Sequence, residues 1–97
     1  MARRSIVRTA ALTTAMTQIL GPSEARVAIL FTPPTGGSQT YTLTTDGSAL
    51  LNNGLNLTPS AGILLITEEM FGDAVKKAWY AASSTGLTIG FLETVVV

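Results

Sequence analysis

The sequence predicts an all-β fold, a small β-sandwich or barrel of about seven to eight short antiparallel strands, with at most one or two helical turns near 68–74. Three observations predict it. Apolar residues recur with period two in several short runs. Clusters of Gly, Pro, Asn and Asp interrupt those runs at the roughly 8–12-residue spacing of sandwiches. Threonine fills 15 of 97 positions, and its β-branched side chain favours the pleated sheet.

The elements follow in order. Residues 1–8 carry Arg3, Arg4 and Arg8 and read as a basic N-terminal arm on a single domain spanning 1–97. Residues 9–20 are ambiguous. Leu12, Met16 and Ile19 are spaced for a helix, but the density of threonine favours a strand. Residues 26–32 form a compact apolar run, an inner strand, which Pro33 and Pro34 end; Gly36 and Gly37 continue the loop. Residues 39–45 alternate, with Tyr41 and Leu43 on one face and Thr40, Thr42 and Thr44 on a wet one. Asp46 and Gly47 turn the chain. Residues 48–51 and 55–58 flank Asn52-Asn53-Gly54, a tight-hairpin signal that calls for positive φ. Residues 59–62 turn again, and 63–66 form a short strand. Thr67 is placed to cap a helical turn over 68–74, with Glu68 and Glu69 at its positive end. A strand over 77–83 would then join the last strand, 86–97, through a hairpin loop at 83–86. Leu87, Ile89, Phe91 and Val95 share one face of that last strand.

Composition excludes several chemistries. With no histidine and no cysteine, the chain has no imidazole base, no thiolate nucleophile, no disulfide and no zinc or iron–sulfur site of the usual kind. No cofactor and no enzymatic activity are expected. Glu68, Glu69 and Asp73 form an acidic cluster without the loop pattern of a calcium site, and Gly36-Gly37 lacks the ending of a phosphate loop. Arg3 and Arg4 precede a mild apolar stretch, but Arg8 and four threonines interrupt it, against a cleavable leader. No apolar run approaches the 18 residues of a spanning helix, so no membrane partner is expected.

Charge is distributed unevenly. The net charge is zero. Residues 1–20 hold three arginines and no acid; residues 21–97 hold three bases against six acids. A basic segment on an acidic body can reach an acidic surface or a sister subunit, so Arg3, Arg4 and Arg8 are candidate contact residues. Zero net charge lacks the footprint of a nucleic-acid binder. Hydrophobic residues make up 46% and charged residues 12%, more apolar surface than a domain this small can bury. The excess implies an interface and a closed homo-oligomer. Tyr41, Trp79 and Tyr80 are candidate interface aromatics, or stacking platforms for a sugar ring.

The stretches Thr17-Gln-Ile-Leu20, Arg26-Val-Ala-Ile-Leu-Phe31 and Gly47-Ser-Ala-Leu-Leu-Asn-Asn-Gly-Leu-Asn-Leu57, followed by Phe71-Gly-Asp73, Trp79-Tyr-Ala-Ala-Ser83 and Ile89-Gly-Phe-Leu-Glu93, form an ordered pattern of strands and turns. In this pattern the chain resembles small bacteriophage virion proteins, β-sandwich modules that serve as capsid decoration, cement or head-fibre components. The resemblance implies a homotrimer bound to the major capsid protein on the outside of an icosahedral shell, and so a virion location. A neck or tail connector and a carbohydrate- or host-binding module are the alternative expectations.

Overall fold

In a computed structural model, which describes residues 2–35, 39–51, 53–60 and 62–97, the chain forms eight strands in two antiparallel four-stranded sheets. They are β1 (Arg3–Ala11), β2 (Thr17–Leu20), β3 (Arg26–Phe31), β4 (Tyr41–Thr44), β5 (Leu55–Leu57), β6 (Leu64–Thr67), β7 (Trp79–Ala82) and β8 (Thr88–Val96). One sheet runs β1-β8-β3-β6 and the other β2-β7-β4-β5. Consecutive strands pair only at β4–β5; every other connection crosses from one sheet to the other. This strand order is that of an eight-stranded jelly roll. The all-β expectation holds in class and in strand number.

The core lies between the sheets. Ile29, Phe31, Tyr41, Leu43, Ile66, Val75, Trp79, Ile89 and Phe91 are buried there. Phe31 stacks obliquely on Phe91, with ring centroids 5.5 Å apart, and meets Trp79 at 6.1 Å. Such tilted pairs suit the ring quadrupoles.

Between β6 and β7 a short helix α1 (Glu68–Phe71) continues into a 3-10 turn, Gly72–Lys76. Thr67 caps α1 as expected: its hydroxyl accepts from the Met70 amide at 3.2 Å. Gly72 ends the helix at φ 61°, a conformation that costs glycine little.

Four expectations are corrected. Residues 3–8 are not an arm; they belong to β1, which pairs with β8 along its whole length. Residues 48–51 form no strand, because the Asp46 carboxylate and carbonyl accept from Ser48 and Ala49 and close a turn there. The strand at 55–57 pairs instead with β4. Gly54 does not take a positive φ, whereas Asn52, like residues 36–38 and Ala61, lies outside the described residues. Finally, residues 83–87 make no hairpin. They arch between the sheets, carrying the chain from β7 to β8, and the Ser83 amide and hydroxyl are held by the carbonyls of Thr13 and Thr40.

Candidate functional site

The outer face of the β1-β8-β3-β6 sheet is almost free of charge. Register places Val7, Leu92, Leu30 and Leu65 in one row across all four strands. Val7 is 76% exposed and Leu65 46% exposed, while Leu30 and Leu92 are half-buried between them. The next row is Ser5, Thr94, Ala28 and Thr67, with Ser5 and Thr94 hydrogen-bonded at 3.1 Å. On the other side, Thr32 donates to the Gly90 carbonyl. Arg3 is the one charged strand residue on this face. Single exposed apolar residues are ordinary, but an apolar row flanked by hydroxyls across a whole sheet has the composition of an interface centre.

The inner face at the β1 edge is different. Arg4, Ile6, Arg8 and Ala10 face inward along β1, opposite Val95, Glu93, Phe91 and Ile89. A groove of about 430 Å³ opens there between the sheets, lined among others by Arg4, Ile6, Arg8, Ile19, Arg26 and Glu93. Glu93 is its electrostatic centre, only 3% exposed. One carboxylate oxygen accepts from Arg26 Nε at 2.8 Å and the other from Arg8 Nε at 2.6 Å. Arg26, 2% exposed, also donates to the carbonyls of Gly21, Val75 and Lys77. It therefore ties β8, the end of the 3-10 turn and the β2–β3 connection to one point. Burial pushes the Glu93 carboxyl up, but the hydrogen bonds and charges of Arg26 and Arg8 outweigh it and hold the group below its usual value. Among the described residues no buried polar side-chain atom lacks a partner, so the evident work of this triad is structural.

Arg26 is inside because of a bulge. The β3–β8 register shifts between Arg26 and Ala28, which turns both Arg26 and Ile29 inward although they are three residues apart. Glu93 simply follows the alternation of Ile89, Phe91 and Val95. Period two along β8 was the available signal for it, and the sequence reading passed over it; nothing local in the sequence marks the bulge.

The six singled-out side chains separate. Arg3 lies on the outer face of β1, Arg4 and Arg8 on the inner face, and Arg8 is engaged by Glu93. Tyr41 and Trp79 are not interface aromatics. Both are buried in the core, with Tyr41 Oη donating to the Thr32 carbonyl at 2.6 Å and Trp79 Nε1 to the Ala74 carbonyl at 3.1 Å. Their apolar bodies fill the space between sheets while each polar tip finds a backbone acceptor. Tyr80 is half-exposed on the outer face of the other sheet, its ring against Gly47. A sugar-stacking platform built from these three rings is thus reduced to one. Glu68, Glu69 and Asp73 do not converge: among the described residues no group of three acids could hold a metal, and Glu68 is engaged by Lys76 at 3.3 Å. No helix among the described residues is long and apolar enough to cross a membrane.

No family model, no curated protein and no solved structure matches the chain.

Proposed function

We propose that the chain is a non-enzymatic structural protein of a phage particle, a capsid decoration or cement protein that binds the outer shell and stabilises it through subunit contacts. The observation that carries this reading is the charge-poor outer face with its row Val7, Leu92, Leu30 and Leu65. A protein that reacts concentrates polar groups in a cleft; here the unusual surface is an open apolar row on a sheet face whose one charged strand residue is Arg3. The jelly-roll strand order adds support, since that architecture recurs in viral capsid domains. Lectins share the architecture, but burial of Tyr41 and Trp79 leaves a glycan reading with little to stack on. Repetition supplies the affinity: weak contacts on a lattice add through effective concentration.

The test is cosedimentation of the purified chain with undecorated shells. Binding is expected, and Leu92→Lys, which puts a charge in the middle of the row, is expected to weaken it at least tenfold while the chain stays folded. Full binding by that variant would overturn the docking face, and no binding by the parent chain would overturn the role. A copy-number census of purified particles separates a shell position, with hundreds of copies, from a neck or tail position.

A further inference from the structure

We propose that two copies of this chain pair through β1 about a two-fold axis, in one register, with Val7 opposite Val7 of the second copy. The phase of β1 is fixed by hydrogen bonds at its two ends. Val97 N donates to the Ala2 carbonyl and Leu12 N to the Leu87 carbonyl, so even-numbered residues of β1 exchange bonds with β8. On β8, Val96 N turns the other way and donates to Ala25, which agrees with this phase. Arg3, Ser5, Val7, Thr9 and Ala11 therefore turn their backbone N–H and C=O outward along the sheet edge. This edge is nine residues long, has no proline, and among the described residues is covered by no other strand. It is a template for a further strand.

An antiparallel mate must set outward residues against outward residues, so odd positions face odd ones. Overlap of the full strand gives Arg3 opposite Ala11, Ser5 opposite Thr9 and Val7 opposite Val7. On the inner face it sets Arg4 opposite Ala10 and Ile6 opposite Arg8. No arginine then faces an arginine. The two neighbouring two-fold registers fail this condition. Centring the axis on Ile6 puts Arg4 opposite Arg8 of the second copy, and centring it on Arg8 puts Arg8 opposite itself. Like charges directly opposite destabilise an antiparallel pair. Of the three registers with the greatest overlap, the arginines that would ordinarily guard an edge leave this one. Each outward residue exchanges two hydrogen bonds with its opposite number, about ten bonds in all, and the apolar rows of the two copies become collinear. The pairing is independent of the virion reading and closes at two copies, where the resemblance implies three.

The test uses the full chain. Sedimentation equilibrium at micromolar concentration is expected to give a dimer. Val7→Pro removes one outward N–H and no bond to β8, a position where an edge strand tolerates proline, and is expected to give a folded monomer. Because the chain has no cysteine, Val7→Cys and Thr9→Cys each introduce a single thiol. Opposed residues of a hydrogen-bonded pair sit about 5.5 Å apart, within disulfide reach, so Val7→Cys is expected to cross-link on oxidation and Thr9→Cys is not. Should Val7→Pro fail to fold, amide exchange on the parent chain takes its place: the amides of Ser5, Val7 and Thr9 are expected to be protected, and to lose protection on dilution. A monomeric or trimeric parent, a dimeric folded Val7→Pro variant, cross-linking through Thr9→Cys in place of Val7→Cys, or unprotected amides at those three positions would each overturn the pairing. Shell binding by a monomer would leave the proposed function standing.

Discussion

Replacing Glu93 with glutamine tests what the triad contributes. The substitution keeps the shape and an acceptor for Arg26 but removes the counter-charge that Glu93 gives a guanidinium that is 2% exposed. Leaving one partner of a buried pair uncompensated costs about 3–5 kcal/mol. Because glutamine still accepts one hydrogen bond, the lower end, about 3 kcal/mol, is expected. For a domain of this size that corresponds to a fall in melting temperature of about 12–24 °C. Arg8→Ala should cost less than about 1 kcal/mol, because the Arg8 side chain is 46% exposed and its pair with Glu93 is partly screened. Urea unfolding at neutral pH measures both. The same experiment at lower pH supplies the sign. The Glu93 carboxyl is held below its usual 4.5 in the folded chain, so the unfolded chain takes up the proton first. The stabilisation is complete above 4.5 and is lost as pH falls through the lower, folded value. Glutamine does not titrate, so the gap between parent and variant must close in acid. A Glu93→Gln variant within about 0.5 kcal/mol of the parent at neutral pH would refute the account, that margin being the scatter of surface substitutions. So would a gap that survives full protonation.

Three further outcomes are expected. Tyr41→Phe should cost about 1–2 kcal/mol by stripping the Thr32 carbonyl of its donor. Burial raises the Tyr41 hydroxyl above its usual 10.0, so the parent should lose stability as pH climbs past 10 and the unfolded chain ionises, a component missing from the variant's alkaline unfolding curve. Gly54→Ala should destabilise by about 1–3 kcal/mol, read by thermal unfolding, because the new Cβ would lie 2.4 Å from the Leu43 carbonyl oxygen. Thr67→Ala should cost about 1 kcal/mol through loss of the cap, with faster exchange at the Met70 amide.

Strands were legible from period two at 39–45 and 86–97, which appear as β4 and β8, and from a compact apolar run at 26–32, which appears as β3. The wet face read for Thr42 is not wet, since Thr42 is buried, while the cap at Thr67 follows from local chemistry that needs no tertiary partner. Which strands pair was not legible. Asn53-Gly54 reads as a tight hairpin because the turn chemistry is local, yet β5 returns to β4 over a longer connection. Likewise β7 and β8 read as hairpin partners because they are adjacent in sequence, while the jelly roll separates them. The triad was half-legible. Glu93 keeps the inward phase of β8, but Arg26 turns inward through a bulge that only the β3–β8 register creates. The alternation that pairs Tyr41 with Leu43 already points Tyr41 inward, against its reading as an interface aromatic, and the carbonyls of Thr32 and Ala74 let Tyr41 and Trp79 stay inside by satisfying both polar tips.

The edge pairing and the docking face share Val7, and sheet twist decides how they can coexist. Neighbouring strands rotate by about 20–25°. Across one chain the row from Val7 to Leu65 takes three such steps, and the direction its side chains face turns by about 60–75°. Across a dimer the row takes seven steps, and its two Leu65 ends point about 140–175° apart. A flat shell cannot touch both ends. It can touch the central segment, Leu92–Val7 of one copy and Val7–Leu92 of the other, which spans only three steps. In the dimer Leu92→Lys should therefore abolish shell binding while Leu65→Lys leaves most of it. In the Val7→Pro monomer the two leucines should matter about equally. Equal sensitivity in the dimer would mean that the shell reads one chain at a time.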